Sequence, residues 1–489
     1  MKKVLAIDFG ASSGRAMIGN FDGSRITLEE IHRFSNDPVI VGDTMYWDVL
    51  RLFHEIKQSL IKSKSYGKIE SLGIDTWGVD FGLLDKNGRL LENPVHYRDA
   101  RTKGLAEKSF ETIPKEEFYK VTGNQFMDIN TAFQLMSIVK ERPELIERTD
   151  KMLMMPNLFT YFLTGEKVTE RSIASTSQLY DQTTKNWTFD IAEKLGIKSS
   201  LFTNIVPSGS VIGTLSKQIR EELDVGDMKV IAVCGHDTQA AMAAVPANQK
   251  DFAFLSCGTW SLLGTELDEP VLDESSLRLN VTNEVGYGGK TSFLKNIIGL
   301  WLIQESRRQW QREGKDYSFA QLEEMARKAE PFKCFIDPDD KLFIPSGNIP
   351  KRVREYCRRT EQYVPVTDGE VMRCIYESLA MKYRSAIEEL EICTKKKYNI
   401  LYMIGGGTKD KFLSQLTASA CGIKVSSGPV EATALGNIIV QLLSSGDIPD
   451  IESARKIIAN SEQIFTFEPE NADEWENQFM RFYNIITKR

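Results

Sequence analysis

The chain has 489 residues, which is too long for one ordinary domain and fits two domains of similar size. Hydrophobic residues make up 42% and charged residues 26%, the balance of a globular protein rather than of a disordered or fibrous one. The formal net charge of -7 argues against a general nucleic-acid binder, whose binding surface would be basic.

Neither a secretory signal nor a membrane segment is indicated. Only Val4 to Ile7 are apolar before Asp8 interrupts, and no run of about 18 apolar residues occurs anywhere. The seven cysteines form no CxxC pair, and four histidines are few for a zinc site. We therefore expect a cytoplasmic protein without membrane or nucleic-acid partners. Its cysteines should be free thiols, although Cys357 and Cys374 could pair if they were close in space.

Strand and helix patterns alternate along the first half of the chain. A strand, the small-residue turn Gly10-Ala11-Ser12-Ser13-Gly14 and a second strand predict an N-terminal hairpin. Apolar residues at helical spacing then predict an amphipathic helix. By these criteria the elements predicted here are strands at 3–8, 15–19, 71–76 and 229–234 and helices at 47–60, 132–140 and 158–163.

The second half repeats the pattern after a loop at Pro246–Lys250. A second hairpin turns at Cys257-Gly258-Thr259, and two similar hairpins alone do not prove a duplication. Thr367 followed by Glu370 predicts a capping box at the start of a long helix. Such a mixture of elements implies an α/β fold. The predicted elements are strands at 252–256, 260–264 and 399–404 and helices at 294–310, 370–391, 411–420 and 432–443.

Three turns could bind phosphate groups. In the first, Asp8 ends a strand before the Gly/Ser turn, whose N–H groups can approach an anion while the carboxylate holds magnesium through water. The others are the turn at Thr259 and the glycines Gly405-Gly406-Gly407, which lie between a strand and a helix. Ordinary turn chemistry explains each one alone. The first is not a P-loop, because no GK[ST] follows.

The candidate catalytic segment is Gly235-His236-Asp237-Thr238, which follows a buried strand and precedes an alanine-rich helix. A carboxylate at that position suits a general base that takes a proton from a sugar hydroxyl. Phosphoryl transfer needs little more than such a base, a metal ion and donors to the phosphates. A first-turn carboxylate that only stabilises the helix is the simpler alternative.

Two further segments could form a sugar pocket. Residues 73–82 place Asp75, Trp77 and Asp80 in a glycine-rich stretch, and sugars are often held by carboxylates beside an aromatic face. The alternative is a strand, a turn and a strand with a core tryptophan. Residues 97–101, Tyr-Arg-Asp-Ala-Arg, could be a polar wall of the pocket or a surface ion-pair network of little energetic value.

Taken together and in order, these segments resemble the FGGY family of carbohydrate kinases. The resemblance runs over nearly the whole chain, and eight segments in order are far more specific than any one of them. They are DFGASSGR at Asp8 to Arg15, GIDTWGVDFGLLD at Gly73 to Asp85, YRDART at Tyr97 to Thr102, GHDT at Gly235 to Thr238, SCGTWSLLG at Ser256 to Gly264, LKNIIGLWLIQ at Leu294 to Gln304, IGGG at Ile404 to Gly407 and GPVEATALGN at Gly428 to Asn437.

The resemblance implies an α/β fold of two actin- or hexokinase-like domains, each ribonuclease-H-like, with an interdomain cleft that closes around ATP and sugar. Residues 1–245 would bind sugar and phosphate, and residues 246–489 would bind ATP. Asp237 would be the proton acceptor, and Asp8 would act through Mg²⁺. The residues implied are Ala11, Ser12, Ser13, Gly14, Arg15, Thr259, Gln304 and Gly405 for ATP and Gly78, His236, Asp237, Thr238 and Asn296 for a ketose.

The reaction implied is phosphorylation of L-rhamnulose by ATP to L-rhamnulose 1-phosphate, in a monomer or homodimer. L-Fuculose, which differs at one hydroxyl carbon, stays open as the substrate. A conformational ATPase of the actin or Hsp70 kind is the alternative from another class. One departure from the family is Thr408-Lys409-Asp410 after the glycines, where an Asn is usual. Asp410 can cap the helix as Asn does, but it adds negative charge near the nucleotide.

Overall fold

A computed structural model describes residues 1–487 of the chain as a mixture of strands and helices. The strands are β1 (Lys2–Phe9), β2 (Ser13–Phe21), β3 (Ile26–Ser35), β4 (Val39–Val41), β5 (Thr44–Tyr46), β6 (Ser71–Thr76), β7 (Phe81–Leu84), β8 (Lys151–Met154), β9 (Val168–Glu170), β10 (Tyr180–Asp181), β11 (Asn186–Trp187), β12 (Asn204–Val206), β13 (Ser210–Thr214), β14 (Lys229–Ala232), β15 (Ala253–Cys257), β16 (Trp260–Leu267), β17 (Thr282–Val285), β18 (Thr291–Ile298), β19 (Ile400–Ile404), β20 (Lys424–Ser427) and β21 (Phe465–Phe467).

The α-helices are α1 (Val49–Ser63), α2 (Leu105–Ser109), α3 (Lys115–Thr122), α4 (Thr131–Glu141), α5 (Pro143–Arg148), α6 (Met155–Thr164), α7 (Arg171–Ala174), α8 (Phe189–Lys194), α9 (Lys217–Leu223), α10 (Asp237–Ala243), α11 (Glu274–Arg278), α12 (Trp301–Arg312), α13 (Phe319–Lys328), α14 (Ile349–Arg359), α15 (Asp368–Thr394), α16 (Lys411–Cys421), α17 (Ala432–Ser444), α18 (Ile451–Ser461) and α19 (Ala472–Thr487). Short 3-10 helices lie at Lys64–Tyr66, Ala100–Thr102, Ser199–Leu201, Tyr287–Gly289, Lys341–Phe343 and Gly406–Lys409.

The chain forms two compact units, each built from separate stretches of sequence. The prediction of two sequence domains, 1–245 and 246–489, stays a prediction. Unit 1 comprises Met1–Asn248, Leu267–Phe293 and Ala432–Ser461, and unit 2 comprises Gln249–Glu266, Leu294–Glu431 and Glu462–Arg489.

A six-stranded sheet in the order β13-β14-β6-β1-β2-β3 forms the centre of unit 1. β1 runs antiparallel to β2 and parallel to β6, and β14 also runs parallel to β6. The carboxyl ends of β1, β6 and β14 therefore meet at one edge of the sheet, the edge where ligands bind in open α/β sheets. Asp8 is in register with Asp75, and Thr76 forms a bridge with His236.

Two apolar cores hold unit 1 together. One packs the sheet against α1 and α6, and Phe9 stacks on Phe159 with ring centroids 4.9 Å apart. The other, around Phe118, Phe133 and Trp187, supports the helices between β7 and β12. Both cores contain fully buried aromatic side chains, which bury more apolar area than any others.

Helix α17 packs closely against α10 and the sheet of unit 1. A Cβ on Gly436 would lie only 1.7 Å from the Ala240 carbonyl oxygen, so a side chain there would push the two helices apart. On the next residue of α17, the Asn437 side chain donates to Asp75 at 2.6 Å. The position of α10 therefore depends on a glycine almost 200 residues later in the sequence.

Unit 2 contains the strand order β16-β15-β19-β20-β21. β15 and β16 form the predicted second hairpin, and β19 lies parallel to both β15 and β20. The long helix α15 begins with the predicted capping box, in which Thr367 and Glu370 each accept from the other's backbone. Both hairpins, the capping box and the predicted α/β architecture are confirmed.

The predicted helix at 294–310 is wrong in its first part. Leu294 to Ile298 continue strand β18, and α12 begins only at Trp301. The β-branched pair Ile297 and Ile298 favours a strand, while the apolar spacing suited either structure. Gly299 ends the strand at a point where a Cβ would lie 2.3 Å from Ser261 Oγ.

The cysteines of the described chain are all free thiols. Cys357 and Cys374 do lie close together, and the buried Cys334 joins them, with the three sulfur atoms within 4.8 Å of one another. This three-cysteine cluster could not be predicted from the sequence, because Cys334 lies in a loop without a recognisable spacing to the other two. In residues 1–487, helices long and apolar enough to cross a bilayer are absent.

Candidate active site

The first predicted phosphate-binding turn connects β1 and β2. Arg15 donates through Nε and Nη2 to Oδ2 of Asp8, at 3.1 and 3.0 Å, so the carboxylate at the end of β1 is anchored. The turn is closed by the Gly10 N–H, which donates to the Ser13 carbonyl at 2.9 Å. Gly14 packs on Phe34, whose ring would lie 2.2 Å from a Cβ there. Ala11, Ser12 and Ser13 are at least partly exposed at this turn.

Asp75 lies beside Asp8 on the neighbouring strand and is completely buried. Burial, together with the charge of Asp8, raises the pKa of Asp75 well above its usual range. Its Oδ2 accepts from Asn437, whereas its buried Oδ1 has no hydrogen-bond partner among the described residues. Two adjacent carboxylates and an unsatisfied oxygen are the kind of donor set that a hard cation such as Mg²⁺ prefers.

The predicted catalytic segment lies at the adjoining end of β14. Glu170 is 1% exposed, and its Oε2 accepts from the Gly235 N–H at 2.9 Å. Thr76 N–H donates to the Gly235 carbonyl at 2.9 Å. These bonds fix the backbone just before α10, so that Asp237 occupies the first turn of that helix with its side chain 29% exposed.

Asp237 has the properties expected of a proton acceptor. Burial raises its pKa to about 6, although the positive charge of His236 lowers it and the negative charge of Asp8 raises it further. The Thr238 hydroxyl donates to Asp237 Oδ1 at 3.2 Å. A carboxylate with a pKa near the working pH is better suited to accept a proton than an ordinary exposed aspartate.

The segment at 73–82 brings two predicted substrate residues together. A Cβ on Gly78 would lie 3.3 Å from His236 Nε2, so the imidazole faces the backbone of this turn. The next residue, Val79, has a φ of 67°, a strained conformation for a β-branched side chain. Thr131 holds it by donating to the Val79 carbonyl at 2.6 Å. Strain of this kind is concentrated at functional sites.

Asp80 and Trp77 belong to the core, as the alternative interpretation had it. Asp80 is fully buried and accepts from the indole N–H groups of Trp47 at 2.6 Å and Trp77 at 2.9 Å. It also accepts from Gln134 Nε2 at 2.8 Å and from the Tyr97 N–H at 3.2 Å. Because all these donors are internal, Asp80 holds the two indole rings and supports the wall behind Gly78.

In unit 2 the remaining nucleotide-site candidates meet. Thr259 donates to Gln304 Oε1 at 3.2 Å. Gly405 has a φ of 87°, and a Cβ there would lie 3.3 Å from the Cys257 carbonyl of the second hairpin. Thr259, Gln304 and Gly405 therefore belong to one cluster around the ends of β15 and β19. Glycine is required at residue 405 both by its backbone conformation and by the close approach.

Asp410 caps α16, as predicted. Its Oδ1 accepts from the Leu413 N–H at 2.9 Å, and its Oδ2 accepts from the Tyr376 hydroxyl. Burial raises the pKa of Asp410, while these donors lower it again by a smaller amount. Asp410, which stands where the family usually has Asn, therefore uses both carboxylate oxygens in hydrogen bonds within unit 2.

The structure gathers Gly78, His236, Asp237 and Thr238 in unit 1, near Asp8. Asn296 lies on β18 in unit 2, and its place in the sugar site stays a prediction. Two buried carboxylates and one buried amide that fix the site were not predicted from the sequence. Single residues of this kind carry no recognisable pattern in the local sequence, so their role is visible only in the three-dimensional structure. They are Glu170, Glu284 and Asn437.

Comparison with known proteins gives the site a family context. Residues 3–244 match the model of the FGGY family of carbohydrate kinases, N-terminal domain, and residues 253–445 match its C-terminal domain. A rhamnulokinase of Bacteroides thetaiotaomicron is 41% identical over 482 residues, 98% of this chain and 99% of the relative. A rhamnulokinase of Oceanobacillus iheyensis is 42% identical over 464 residues, 95% of this chain and 97% of the relative.

Solved structures with low sequence identity share the fold. The ligand-bound xylulose kinase of Lactobacillus acidophilus superposes with a TM-score of 0.81 at 16% identity, over 99% of this chain and 98% of that one. The predicted α/β fold of two actin- and hexokinase-like domains is thereby confirmed.

Proposed function

This chain belongs to the FGGY family of carbohydrate kinases, and we propose that it transfers the γ-phosphoryl group of ATP to L-rhamnulose, giving ADP and L-rhamnulose 1-phosphate. The observation that carries the proposal is the similarity, at 41 and 42% identity over nearly the full length, to two proteins named rhamnulokinase. L-Fuculose and a conformational ATPase have no comparable support.

Asp237 is the general base in this proposal. It accepts the proton of the ketose hydroxyl as that oxygen attacks the γ-phosphorus, and the bond from phosphorus to the bridging oxygen of ADP breaks. The raised pKa of Asp237, its partial exposure and its place beside His236 support the assignment. Gly78, His236, Thr238 and Asn296 are proposed to orient the sugar, because phosphoryl transfer depends mainly on positioning and electrostatics.

Two groups of residues are proposed for the nucleotide, as the family resemblance implies. Backbone N–H groups at Ala11 to Gly14, with Arg15, are proposed to contact phosphates, and Thr259, Gln304 and Gly405 to line the ATP site. Asp8 would hold Mg²⁺ through water, and the carboxylates of Asp8 and Asp75 with the unpartnered Asp75 oxygen fit a hard cation. When bound, Mg²⁺ supplies positive charge that neutralises the phosphates during transfer.

We also propose a cytoplasmic location and a monomer or homodimer that does not bind nucleic acid. The free thiols of the described chain suit a reducing compartment. The negative net charge opposes binding to another polyanion.

The test is ADP release from Mg-ATP with L-rhamnulose, L-fuculose, L-ribulose, D-xylulose and glycerol offered separately. We expect L-rhamnulose to raise turnover far above the other four. A larger response to L-fuculose would reassign the substrate within the family. If all five leave turnover at the background ATPase rate, the sugar-kinase proposal fails and the conformational ATPase becomes the better hypothesis.

A further inference from the structure

A buried histidine and a buried glutamate are in contact beside the proposed base. Nδ1 of His236 is 2.9 Å from Oε2 of Glu284, and the side chains are 10 and 7% exposed. On the other side of the ring, Nε2 lies 3.5 Å from Oδ1 of Asp237. The imidazole therefore lies between two carboxylates, of which Asp237 belongs to the proposed reaction and Glu284 has no assigned part in it.

Glu284 is held in position by a second set of bonds. Its Oε2 also accepts from Gln239 Nε2 at 2.9 Å, and Gln239 in turn accepts from the Ser292 hydroxyl at 2.6 Å. Gln239 lies on α10, two residues after Asp237, whereas Glu284 comes from β17. The carboxylate is thus fixed relative to the helix that begins with the base.

This geometry favours a doubly protonated imidazole. A neutral ring that donates from Nδ1 to Glu284 would turn the lone pair of Nε2 towards the Asp237 carboxylate, which is repulsive. A proton on both nitrogens removes that repulsion, because Nδ1 still donates to Glu284 and the positive ring attracts the Asp237 carboxylate at 3.5 Å. Burial lowers the pKa of His236, but the charge and hydrogen bond of Glu284, with the charges of Asp237 and Glu170, raise it overall.

We infer that Glu284 is a positioning residue for the proposed reaction: it holds His236 as a cation with a fixed ring orientation, and that cation keeps Asp237 ionised. The inference rests on the proposed function, since it assigns Asp237 as the base. Removing the negative charge of Glu284 leaves His236 neutral near pH 7. Asp237 then loses its positive neighbour and binds a proton at a higher pH.

The charged groups that face the pair come from several elements. Glu284 on β17, Asp237 on α10 and Glu170 at the end of β9 act on His236. Asp8 at the end of β1 acts on Asp237 and raises its pKa. All of these groups are acidic. A positive charge on His236 therefore compensates part of the negative charge around it.

The first experiment follows the imidazole NMR signals of the wild-type enzyme through a pH titration, which is tractable because the chain has four histidines. We expect His236 to titrate above the free-histidine value of about 6.5. In Glu284→Gln its pKa should fall by about 1 to 3 units, whereas Glu284→Asp, which keeps the charge, should restore most of the shift. A wild-type His236 that titrates at or below the ordinary value overturns the inference without any variant.

The second experiment compares pH profiles of kcat/KM with L-rhamnulose. For Glu284→Gln the acid limb should move to higher pH by about one unit, with a roughly threefold loss at pH 6.5 that grows to about tenfold near pH 5 and narrows as the pH rises. A merely structural role would give a loss that does not depend on pH, and that result would contradict the inference. Glu377→Gln is the matched control, because it removes the charge of a buried carboxylate that lies in unit 2 and not in unit 1. It should leave the His236 pKa and the pH profile of kcat/KM unchanged.

The two proposals fail in different ways. If the wild-type enzyme phosphorylates none of the ketoses, the proposed function fails, and the NMR titration still decides whether Glu284 keeps His236 charged. If L-rhamnulose is phosphorylated but the His236 pKa is the same in wild type and Glu284→Gln, only the role of Glu284 is lost.

Discussion

Asp80 and Asp237 are two carboxylates of unit 1 whose pKa values are raised alike but whose exposure and hydrogen-bond partners differ. Burial raises the pKa of each to about 6. Asp80 is 0% exposed and accepts four hydrogen bonds from Trp47, Trp77, Tyr97 and Gln134. Asp237 has a side chain that is 29% exposed and accepts from the Thr238 hydroxyl beside the His236 imidazole.

The difference shows that a raised pKa does not by itself identify a base. A carboxylate can take a proton from a substrate only if one of its oxygens can be reached in hydrogen-bond distance. Internal donors already occupy the oxygens of Asp80, so its hydrogen bonds stabilise the positions of two indole rings. Asp237 lies at the open edge of the sheet, where its oxygen can meet a hydroxyl group. Predictions that separate the two carboxylates test this distinction.

The largest effect is expected from Asp237→Asn. An amide cannot accept the hydroxyl proton, so kcat with L-rhamnulose should fall by about 10²- to 10⁴-fold. Sugar affinity, measured by calorimetry in the absence of ATP, should stay largely unchanged, since the amide keeps the size of the side chain. Full sugar-dependent turnover in this variant would show that the proton goes elsewhere.

Asp80→Ala should damage stability rather than chemistry. It removes the acceptor of two indole N–H groups, the Gln134 amide and the Tyr97 N–H, and each unsatisfied buried donor costs about 1–3 kcal/mol. We expect the free energy of unfolding in urea to fall by about 3 kcal/mol or more.

The companion measurements for Asp80 use the folded enzyme. Asp80→Asn keeps one acceptor oxygen and should recover part of the lost stability. For the folded fraction of either variant, kcat should remain within about tenfold of wild type, equivalent to 1.4 kcal/mol in the barrier. A loss in kcat as large as that of Asp237→Asn would place Asp80 in the reaction and remove the contrast.

The smallest effect is the pH dependence of the wild-type enzyme. Asp237 can accept a proton only when it is ionised, and it becomes protonated as the pH falls through its pKa of about 6. The rate should therefore decline below that pH by about tenfold per unit. An ordinary aspartate would keep the rate constant down to a pH of about 4. Asp80→Asn should leave this limb in place, because Asp80 titrates without touching the substrate.

Much of the fold could be predicted because its signals are local. Strand β6 was predicted with the bounds that the structure has, Ser71–Thr76, because an apolar run ends there at a turn. The capping box at Thr367 and the cap at Asp410 needed only neighbouring residues. The helix predicted at 294–310 failed because apolar spacing over Leu294 to Ile298 fits a strand as well as a helix.

The site residues divide along the same line. Asp8 and Asp237 could be proposed from sequence, since Asp8 lies at the end of a strand beside a turn and Asp237 lies at the start of a helix that follows a strand. The roles of Asp80 and Glu284 could not, because they depend on partners far away in sequence, such as Trp47 for Asp80 and His236 for Glu284. The sequence does not show which acidic side chains accept hydrogen bonds from groups inside the folded protein.

The close contact at Gly436 has a consequence for synthesis of the protein on the ribosome. Asp237 begins α10, and α10 packs on α17, which is translated almost 200 residues later. A nascent chain that ends before residue 432 contains every strand of the six-stranded sheet, yet it lacks the helix against which α10 packs and the Asn437 donor to Asp75. Unit 1 is therefore completed only late in translation. A premature stop before residue 432 leaves Asp237 and Asp75 in the chain but removes the helix and the Asn437 side chain that hold them in place.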